Sequence, residues 1–297
     1  MPKTFREKWL EAVDKKNSVL CAGLDPAEFA MGRGKKGLSD KEQKRVFALR
    51  YVDAVAPYCA ALKPNFQYFK DEGDVETLRF AIQHAHAMGL VVIDDSKLAD
   101  IGETNDAGLY HAGKSGFDAV TVAPYAGNMA EAAKQAHERG LAAITMCLMS
   151  NPEYKREKSK QVDVCDIFQQ YHPEDLLTHS GIGWHVYQYI HLARQAELSG
   201  IDGIVIGAPS AKNHITDDEI AAARRQVSDR MLVLMPGVGA QGGEASQVWK
   251  HFAPDHVIVN VGRSLMFPDG DNYAHNDEIA AKAQFYRDML NEERKAA

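Results

Sequence analysis

The chain of 297 residues has no apolar run near the roughly 20 residues that a membrane-spanning helix needs. Residues 1–13 predict a charged amphipathic helix and lack the apolar core and small-residue cleavage site of a secretion signal. The sequence has only four cysteines, and none of them forms a Cys-x-x-Cys pair. These absences argue against a membrane or secreted protein and predict reduced thiols in the cytoplasm.

Several signatures of catalysis and binding are also missing. There is no Gly-x-Ser-x-Gly elbow and no Walker loop. The twelve histidines are scattered without the spacing of metal ligands, so we expect no metal site. No cysteine has an activating context, so we expect no catalytic thiol. The net charge of −7 argues against nucleic-acid and membrane-surface partners, although a pocket can still attract a small anion.

The sequence does contain a regular alternation of short apolar runs and longer helical patterns. Eight runs are almost continuously apolar, which is typical of parallel strands buried on both faces. They are residues 19–24, 60–63, 90–95, 119–122, 142–147, 203–206, 231–235 and 257–260. The helical patterns between them include residues 41–56, 75–88, 129–139, 186–199 and 217–227, the last with an N-cap expected at Asp217 or Asp218.

Eight strands, each followed by a helix, predict an α/β protein of one domain over residues 1–297, a (β/α)8 TIM barrel. An open, doubly wound sheet is the alternative, because strand counting alone does not distinguish the two. Residues 25–42 after the first strand and residues 151–183 after the fifth are insertions, and each carries a basic stretch. Each insertion is either a solvated loop or a mobile cover over the site.

The most informative segment is Asp95-Ser-Lys97-Leu-Ala-Asp100, at the end of the third strand. Strand side chains alternate with period two, so Asp95 and Lys97 share a face, and Lys63 ends the neighbouring strand. An Asp95–Lys97 pair alone is compatible with a structural ion pair. Four converging charges are poorly explained by stability, since buried charges are costly unless they are paired. We therefore predict that these four residues form a catalytic cluster.

Two loops after the seventh and eighth strands predict a phosphate site. Residues 236–243 are rich in glycine, which lets backbone N–H groups approach an anion closely. Gly262-Arg263-Ser264 follows the eighth strand, and arginine suits phosphate oxygens. These are the usual phosphate-binding loops of a TIM barrel. The glycine-rich loop alone would be compatible with a plain turn, but the pairing with Gly-Arg favours phosphate.

Two further positions are less specific. Asp25 follows the first strand and is suited to accept hydrogen bonds from substrate hydroxyls, or else to form an Asx turn before Pro26. Ser150 follows the fifth strand and by itself is compatible with an ordinary turn residue.

Together these motifs resemble the orotidine 5'-phosphate decarboxylases, in particular a longer bacterial branch, over about residues 20–266. Residues 95–105 resemble the family's Asp-x-Lys-x-x-Asp signature and its sequel, and residues 62–65 resemble its second-strand lysine motif. Met149-Ser150 resembles the pyrimidine-contacting segment. Residues 237–243 and 262–264 resemble the two phosphate motifs.

The resemblance implies a carboxy-lyase without cofactor that converts orotidine monophosphate (OMP) to uridine monophosphate (UMP) and carbon dioxide. It implies that Lys97 donates the proton, while Lys63, Asp95 and Asp100 complete an alternating charge network. It further implies a homodimer in which Asp100 and Thr104 reach the partner's site.

The resemblance also assigns substrate contacts. Asp25 and Lys63 would hold the ribose hydroxyls, and Ser150 and Gln241 would contact the pyrimidine. Gln241, Gly262 and Arg263 would bind the phosphate. Three alternatives are a magnesium-dependent sugar-phosphate enzyme of the same barrel group, a Schiff-base aldolase, and a non-catalytic nucleotide-binding barrel.

Overall fold

The computed structural model describes residues 3–179, 183–239, 242–270 and 272–296. Eight of its strands are β1 Leu20–Leu24, β2 Ala61–Pro64, β3 Val91–Leu98, β4 Ala119–Val122, β5 Ala142–Leu148, β9 Gly203–Ile206, β10 Leu232–Pro236 and β11 Val257–Val261. These strands are parallel and close into a barrel in the order β1-β2-β3-β4-β5-β9-β10-β11. Strands β6 Gln161–Asp163, β7 Leu177–His179 and β8 Gly183–Tyr187 form a separate antiparallel sheet.

The helices surround this barrel. They are α1 Phe5–Lys16, α2 Lys44–Val55, α3 Asp74–Ala87, α4 Gly102–Ser115, α5 Met129–Glu138, α6 Tyr154–Lys158, α7 Gln188–Leu198, α8 Asp217–Arg225, α9 Ser246–Trp249, α10 Arg263–Met266 and α11 Asn276–Ala296. Helix α1 buries Phe5, Trp9 and Val13, as its apolar pattern predicts, and Trp9 Nε1 donates to Asp255 O at 2.7 Å. Since Asp255 lies just before β11, α1 packs at the end where the strands begin.

The closed barrel confirms the predicted (β/α)8 fold and excludes the open sheet. The strands form where the apolar runs predict them because both faces of each are buried, one against the barrel interior and the other against helices. The N-cap prediction was wrong by one residue. Thr216 caps α8 through a capping box with Glu219, while Asp217 and Asp218 lie in the first turn, where the helix dipole favours acidic groups.

The first insertion is tied to the barrel through a buried lysine. Its short 3-10 turns are Phe29–Met31 and Gly34–Lys36. The ammonium of Lys44, at the start of α2, lies 2.6 Å from Glu28 Oε1 and 2.5 Å from Asp74 Oδ2. Glu28 belongs to the insertion and Asp74 begins α3, so these ion pairs join the insertion to two barrel helices.

The described part of the second insertion is folded and anchored. Lys158 of α6 is buried and ion-paired with Glu219 of α8. The buried carboxylate of Asp175 accepts hydrogen bonds from Arg225 Nε at 3.1 Å and from Gln226 Nε2 at 2.6 Å. Two separate parts of the insertion are therefore held against α8 and the turn after it. This anchoring argues against a simple solvated loop.

The three buried cysteines fit the expectation of unreactive thiols. All four are free, and Cys21, Cys59 and Cys147 are buried while Cys165 is exposed. Burial raises the pKa of both Cys21 and Cys147 to about 12, which disfavours the nucleophilic thiolate. Among the described residues, no helix is both long enough and apolar enough to span a membrane.

Candidate active site

A cavity of about 260 Å³ opens at the end of the barrel where the strands finish. TIM-barrel active sites form at this end. Six of the residues selected from the sequence line the cavity: Asp25, Lys63, Asp95, Lys97, Gly262 and Arg263. None of its lining residues comes from the described part of the second insertion.

A carboxylate between two ammonium groups forms the centre of the cavity wall. Asp95 Oδ2 is ion-paired with Lys63 Nζ, and Asp95 Oδ1 lies 2.6 Å from Lys97 Nζ. Lys63 is buried, whereas the Lys97 side chain is 46% exposed and lines the cavity. The predicted convergence of Lys63, Asp95 and Lys97 is therefore present in the structure.

The electrostatics of this centre favour the charged forms. Burial alone would raise the pKa of Asp95, but Lys63 and Lys97 lower it below its ordinary value. Burial would likewise lower the pKa of Lys63, but Asp95 and Asp25 raise it above the ordinary value. Each charge is thus stabilised by its neighbours, and Asp95 stays ionised at neutral pH.

Asp25 lies beside this network with an unused acceptor. A Cβ added at Gly23 would lie 2.9 Å from Gly262 Cα, so only glycine allows β1 to run this close to the loop after β11. That approach places Asp25 near Gly262. Its Oδ1 is buried and has no hydrogen-bond partner among the described residues. Burial raises its pKa, an effect that Lys63 opposes. A buried orphan acceptor is expected to meet a donor from a ligand.

The two predicted phosphate loops both contribute residues to the lining of the cavity. Gly237 and Val238 follow β10, and Gly262, Arg263 and Ser264 follow β11. Gln241 lies outside the described residues. The glycine backbone and the guanidinium of Arg263 are suited to bind an anion.

A second cavity, of about 350 Å³, adjoins the first at Arg263 and Ser264. Lys35 and Lys36 of the first insertion and Lys282 of α11 line it. The basic stretch of the first insertion therefore lies next to the anion-suited side of the site, where it adds positive potential.

Three residues selected from the sequence are not among the residues that line the cavity of their own chain. Asp100 is exposed, and its carboxylate accepts from the backbone N–H of Ile101 at 2.8 Å. Thr104 is exposed on α4. Ser150 packs beside the loop after β9, because a Cβ added at Gly207 would lie 2.7 Å from Ser150 Cβ.

One group of carboxylates has a spacing compatible with a metal ion. It consists of Glu28, Asp71 and Asp74 and lies away from the barrel centre. The ammonium of Lys44 already lies among these carboxylates, at 2.5 to 3.8 Å from each. A lysine charge therefore compensates the carboxylates, and the group is explained as an ion-pair cluster.

Sequence reasoning missed three residues of this site. Asn65 and Asn260 line the cavity, and the buried Oδ1 of Asn260 has no partner among the described residues. Both asparagines lie at the ends of barrel strands, Asn65 after β2 and Asn260 in β11, and this position could have identified them as candidate site residues. Thr121, which contacts Asp95 and Lys97, gave no signal, because a threonine inside a buried strand is ordinary.

Fold and cavity together define the class of protein: a TIM barrel with a lysine–aspartate centre at the strand ends and an anion-suited loop pair beside it. The chain belongs to the Orotidine 5'-phosphate decarboxylase / HUMPS family, whose model matches residues 18–271.

Relatives in sequence and structure agree with this assignment. The chain is 31% identical to the orotidine 5'-phosphate decarboxylase of Variovorax paradoxus (strain S110), over 97% of this chain and 98% of the relative. It is 29% identical to the orotidine 5'-phosphate decarboxylase of Halobacterium salinarum, over 98% of this chain and 100% of the relative. A structure of Leishmania donovani OMP decarboxylase, 22% identical, matches with a TM-score of 0.69 and covers 97% of this chain and 99% of that one. A structure of the UMP synthase of the same organism is 24% identical and matches with a TM-score of 0.73. This match covers 99% of this chain and 57% of the UMP synthase chain. The structural matches support the barrel fold.

Proposed function

We propose that this protein is a carboxy-lyase that converts orotidine 5'-phosphate to uridine 5'-phosphate and carbon dioxide, the last step of de novo UMP biosynthesis. The observation that carries the proposal is the Lys63–Asp95–Lys97 network, which lines the same cavity as the phosphate-suited residues Gly262 and Arg263. Family membership supports the same reaction. A cytoplasmic location is proposed with it, because all four cysteines are free.

Loss of carbon dioxide from C6 of orotate leaves an electron pair in the plane of the ring. That pair is poorly delocalised, so a fixed positive charge next to C6 would stabilise it most directly. In our proposal the Lys97 ammonium supplies this charge and then donates a proton to C6. The C6–carboxyl bond breaks, carbon dioxide leaves, and the neutral lysine regains a proton from water. Asp95 orients Lys97 through the 2.6 Å contact.

The remaining residues of the cavity would bind the nucleotide. The Oδ1 atoms of Asp25 and Asn260, which have no hydrogen-bond partner in the described part of the chain, are suited to accept hydrogen bonds from ribose hydroxyls. Gly262 and Arg263, with Gln241, would bind the phosphate. We also propose that Ser150 and Gln241 contact the pyrimidine.

We propose a homodimer in which Asp100 and Thr104 act at the partner's site. Both residues are exposed in the single chain. Two large apolar side chains near them are exposed as well: Ile101, the next residue after Asp100, is 59% exposed, and Tyr125, in the loop after β4, is 79% exposed. Asn128 Nδ2 donates to Asp100 O at 3.0 Å and so joins the loops after β3 and β4. Exposed apolar side chains of this size are suited to a protein interface.

The test is the ultraviolet absorbance of OMP mixed with the purified protein in EDTA. We expect rapid loss of the orotate signal with UMP as the product. If the orotate signal persists while the protein is folded, the proposal is wrong. Activity towards a sugar phosphate that EDTA abolishes would then favour the magnesium-dependent alternative. Borohydride trapping of a lysine with a carbonyl substrate would favour the aldolase, and UMP binding without turnover would favour a non-catalytic barrel.

A further inference from the structure

The third barrel strand is irregular at the charge network. Asp94 pairs with Val120 and Leu98 pairs with Val122. Between these pairs β3 advances by four residues while β4 advances by two. The two extra residues form a bulge, a feature that re-aims side chains and is frequent next to active sites. Thr121 is the residue of β4 that faces this bulge.

Lys97 lies in the bulge with an unfavourable backbone conformation. Its φ of +52° is left-handed, a region that a long side chain enters only when the surrounding structure imposes it. Among the described residues, Asn17 is the other non-glycine residue with a positive φ, and it ends α1. The Lys97 backbone N–H donates to Thr121 Oγ1 at 2.9 Å. This hydrogen bond therefore holds the strained residue against β4.

The same hydroxyl reaches two other groups of the bulge. Thr121 is fully buried, and its Oγ1 lies 3.2 Å from Asp94 O and 3.3 Å from Asp95 Oδ1. Its single proton is within reach of both acceptors. Asp95 Oδ1 is also the oxygen that contacts Lys97 Nζ. One buried hydroxyl thus contacts both the backbone of Lys97 and the carboxylate oxygen that orients its side chain.

We propose that Thr121 is a positioning residue for decarboxylation. Its hydroxyl holds the bulge in the conformation that presents the Lys97 ammonium and the Asp95 carboxylate to the substrate. This inference rests on the proposed function. Without the hydroxyl, the Lys97 N–H has no acceptor and the bulge is free to relax towards negative φ, which moves the ammonium. The variant should therefore lose rate in the chemical step and keep its substrate binding, because the phosphate and ribose contacts lie elsewhere in the cavity.

The experiment compares four variants. Thr121→Val removes the hydroxyl at nearly constant volume, and Thr121→Ser and Thr121→Ala both remove the methyl group while only serine keeps the hydroxyl. Thr145→Val is the matched control, since Thr145 is fully buried on the adjacent strand β5 and its Oγ1 has no partner among the described residues. The measurements are kcat and KM for OMP, the affinity for UMP, and the amide proton resonance of Lys97.

We expect Thr121→Val and Thr121→Ala to lower kcat by about 100-fold, the loss typical of a misplacement near 1 Å. KM and UMP affinity should stay close to wild type. Thr121→Ser and Thr145→Val should keep nearly full kcat. The Lys97 amide resonance should shift in the alanine and valine variants at position 121 and stay unchanged in the Thr145 variant.

Three results would overturn the inference: wild-type kcat in Thr121→Val, equal losses in the serine and alanine variants, or an equal loss in Thr145→Val. If Thr121→Val does not fold, the comparison of kcat between Thr121→Ser and Thr121→Ala decides whether the hydroxyl is needed. An inactive wild type would defeat the proposed function instead, while the Lys97 resonance would still report whether Thr121 holds the bulge.

Discussion

Asp94 is a buried carboxyl next to the charge network. It is 5% exposed, and Ser96 Oγ donates to its Oδ1 at 2.5 Å. Burial raises its pKa to about 6, against the opposing effect of that hydrogen bond. The unfolded chain should bind the same proton near pH 4. The native state therefore binds the Asp94 proton more tightly, and ionisation of this group opposes folding.

We predict that Asp94→Asn raises the free energy of unfolding, relative to wild type, at about pH 8. The destabilisation by the wild-type carboxylate is complete above its native pKa of about 6 and disappears as the pH falls to about 4. The difference between the two proteins should change by on the order of 3 kcal/mol across that window. Urea unfolding at several pH values measures it. The exposed Asp166→Asn is the control, and equal pH slopes for both variants would contradict the prediction.

Substitution of Arg263 tests whether the phosphate of the substrate binds at the loops after β10 and β11. We predict that Arg263→Ala lowers kcat/KM for OMP by at least about 100-fold with no loss of fold, because a charge-assisted contact to phosphate is removed. Steady-state kinetics and the thermal midpoint provide the measurement. Arg139→Ala is the control, since Arg139 pairs with Asp106 on α4, outside the cavity. A kcat/KM equal to wild type would show that the phosphate binds elsewhere.

Lys97 tests the chemical step itself. We predict that Lys97→Ala removes nearly all decarboxylation while UMP still binds, since the variant loses the proposed proton donor and leaves Arg263 in place. Single-turnover kinetics and calorimetric titration with UMP measure the two effects. Substantial retained turnover would refute the proton-donor role.

At the scale of elements, the second insertion behaves as part of the barrel wall. Lys158 ion-pairs with Glu219, and its ammonium donates to His214 O at 2.6 Å. Glu219 is also the residue that completes the capping box of α8. One buried lysine thus joins the insertion, the loop after β9 and the start of a barrel helix.

We predict that Lys158→Met destabilises the protein by about 3 kcal/mol, because it leaves Glu219 without its buried partner. Hydrogen exchange should accelerate first in residues 151–179. Lys155→Met, on the exposed side of the same helix, should change neither quantity. Uniform acceleration across the barrel would instead mean that the insertion does not open as a separate unit.

The elements differ in how far the sequence predicts them. Barrel strands buried on both faces leave a clear apolar run, so their positions were found to within a few residues. The strands of the small sheet left no such signal, because they are short and partly exposed. The bulge in β3 was missed as well. Period-two alternation led to the correct Asp95–Lys97 contact, but the observed contact depends on a backbone irregularity that no residue type announces.

At the scale of the whole molecule, the closed barrel explains why the site could be predicted in part. Closure brings β1 beside β11, so Asp25 and Arg263 meet although they are far apart in sequence. Once a barrel is assumed, strand order therefore places these residues. The positions of Asp100 and Thr104 relative to a site depend on a second chain, which strand order within one chain does not define.

Mixing two inactive variants tests whether Asp100 acts at the site of the partner subunit. We predict that Lys97→Ala and Asp100→Ala are each inactive alone, and that mixing them after dissociation restores about a quarter of wild-type activity, because half the dimers carry one complete site. Each variant mixed with itself is the control. No recovery, with mixed dimers demonstrated by mass, would show that Asp100 acts within its own subunit.

The distribution of thiols also makes the molecule convenient for spectroscopy. Cys165 is the exposed cysteine, and the other three are buried. A maleimide dye should therefore attach at a single position, on the second insertion. The hydrogen bond with Asp163 raises the pKa of this thiol, so labelling should run faster in alkaline buffer. Energy transfer from a fluorescent uridine nucleotide in the barrel to that dye would then measure how far the insertion moves when the site fills.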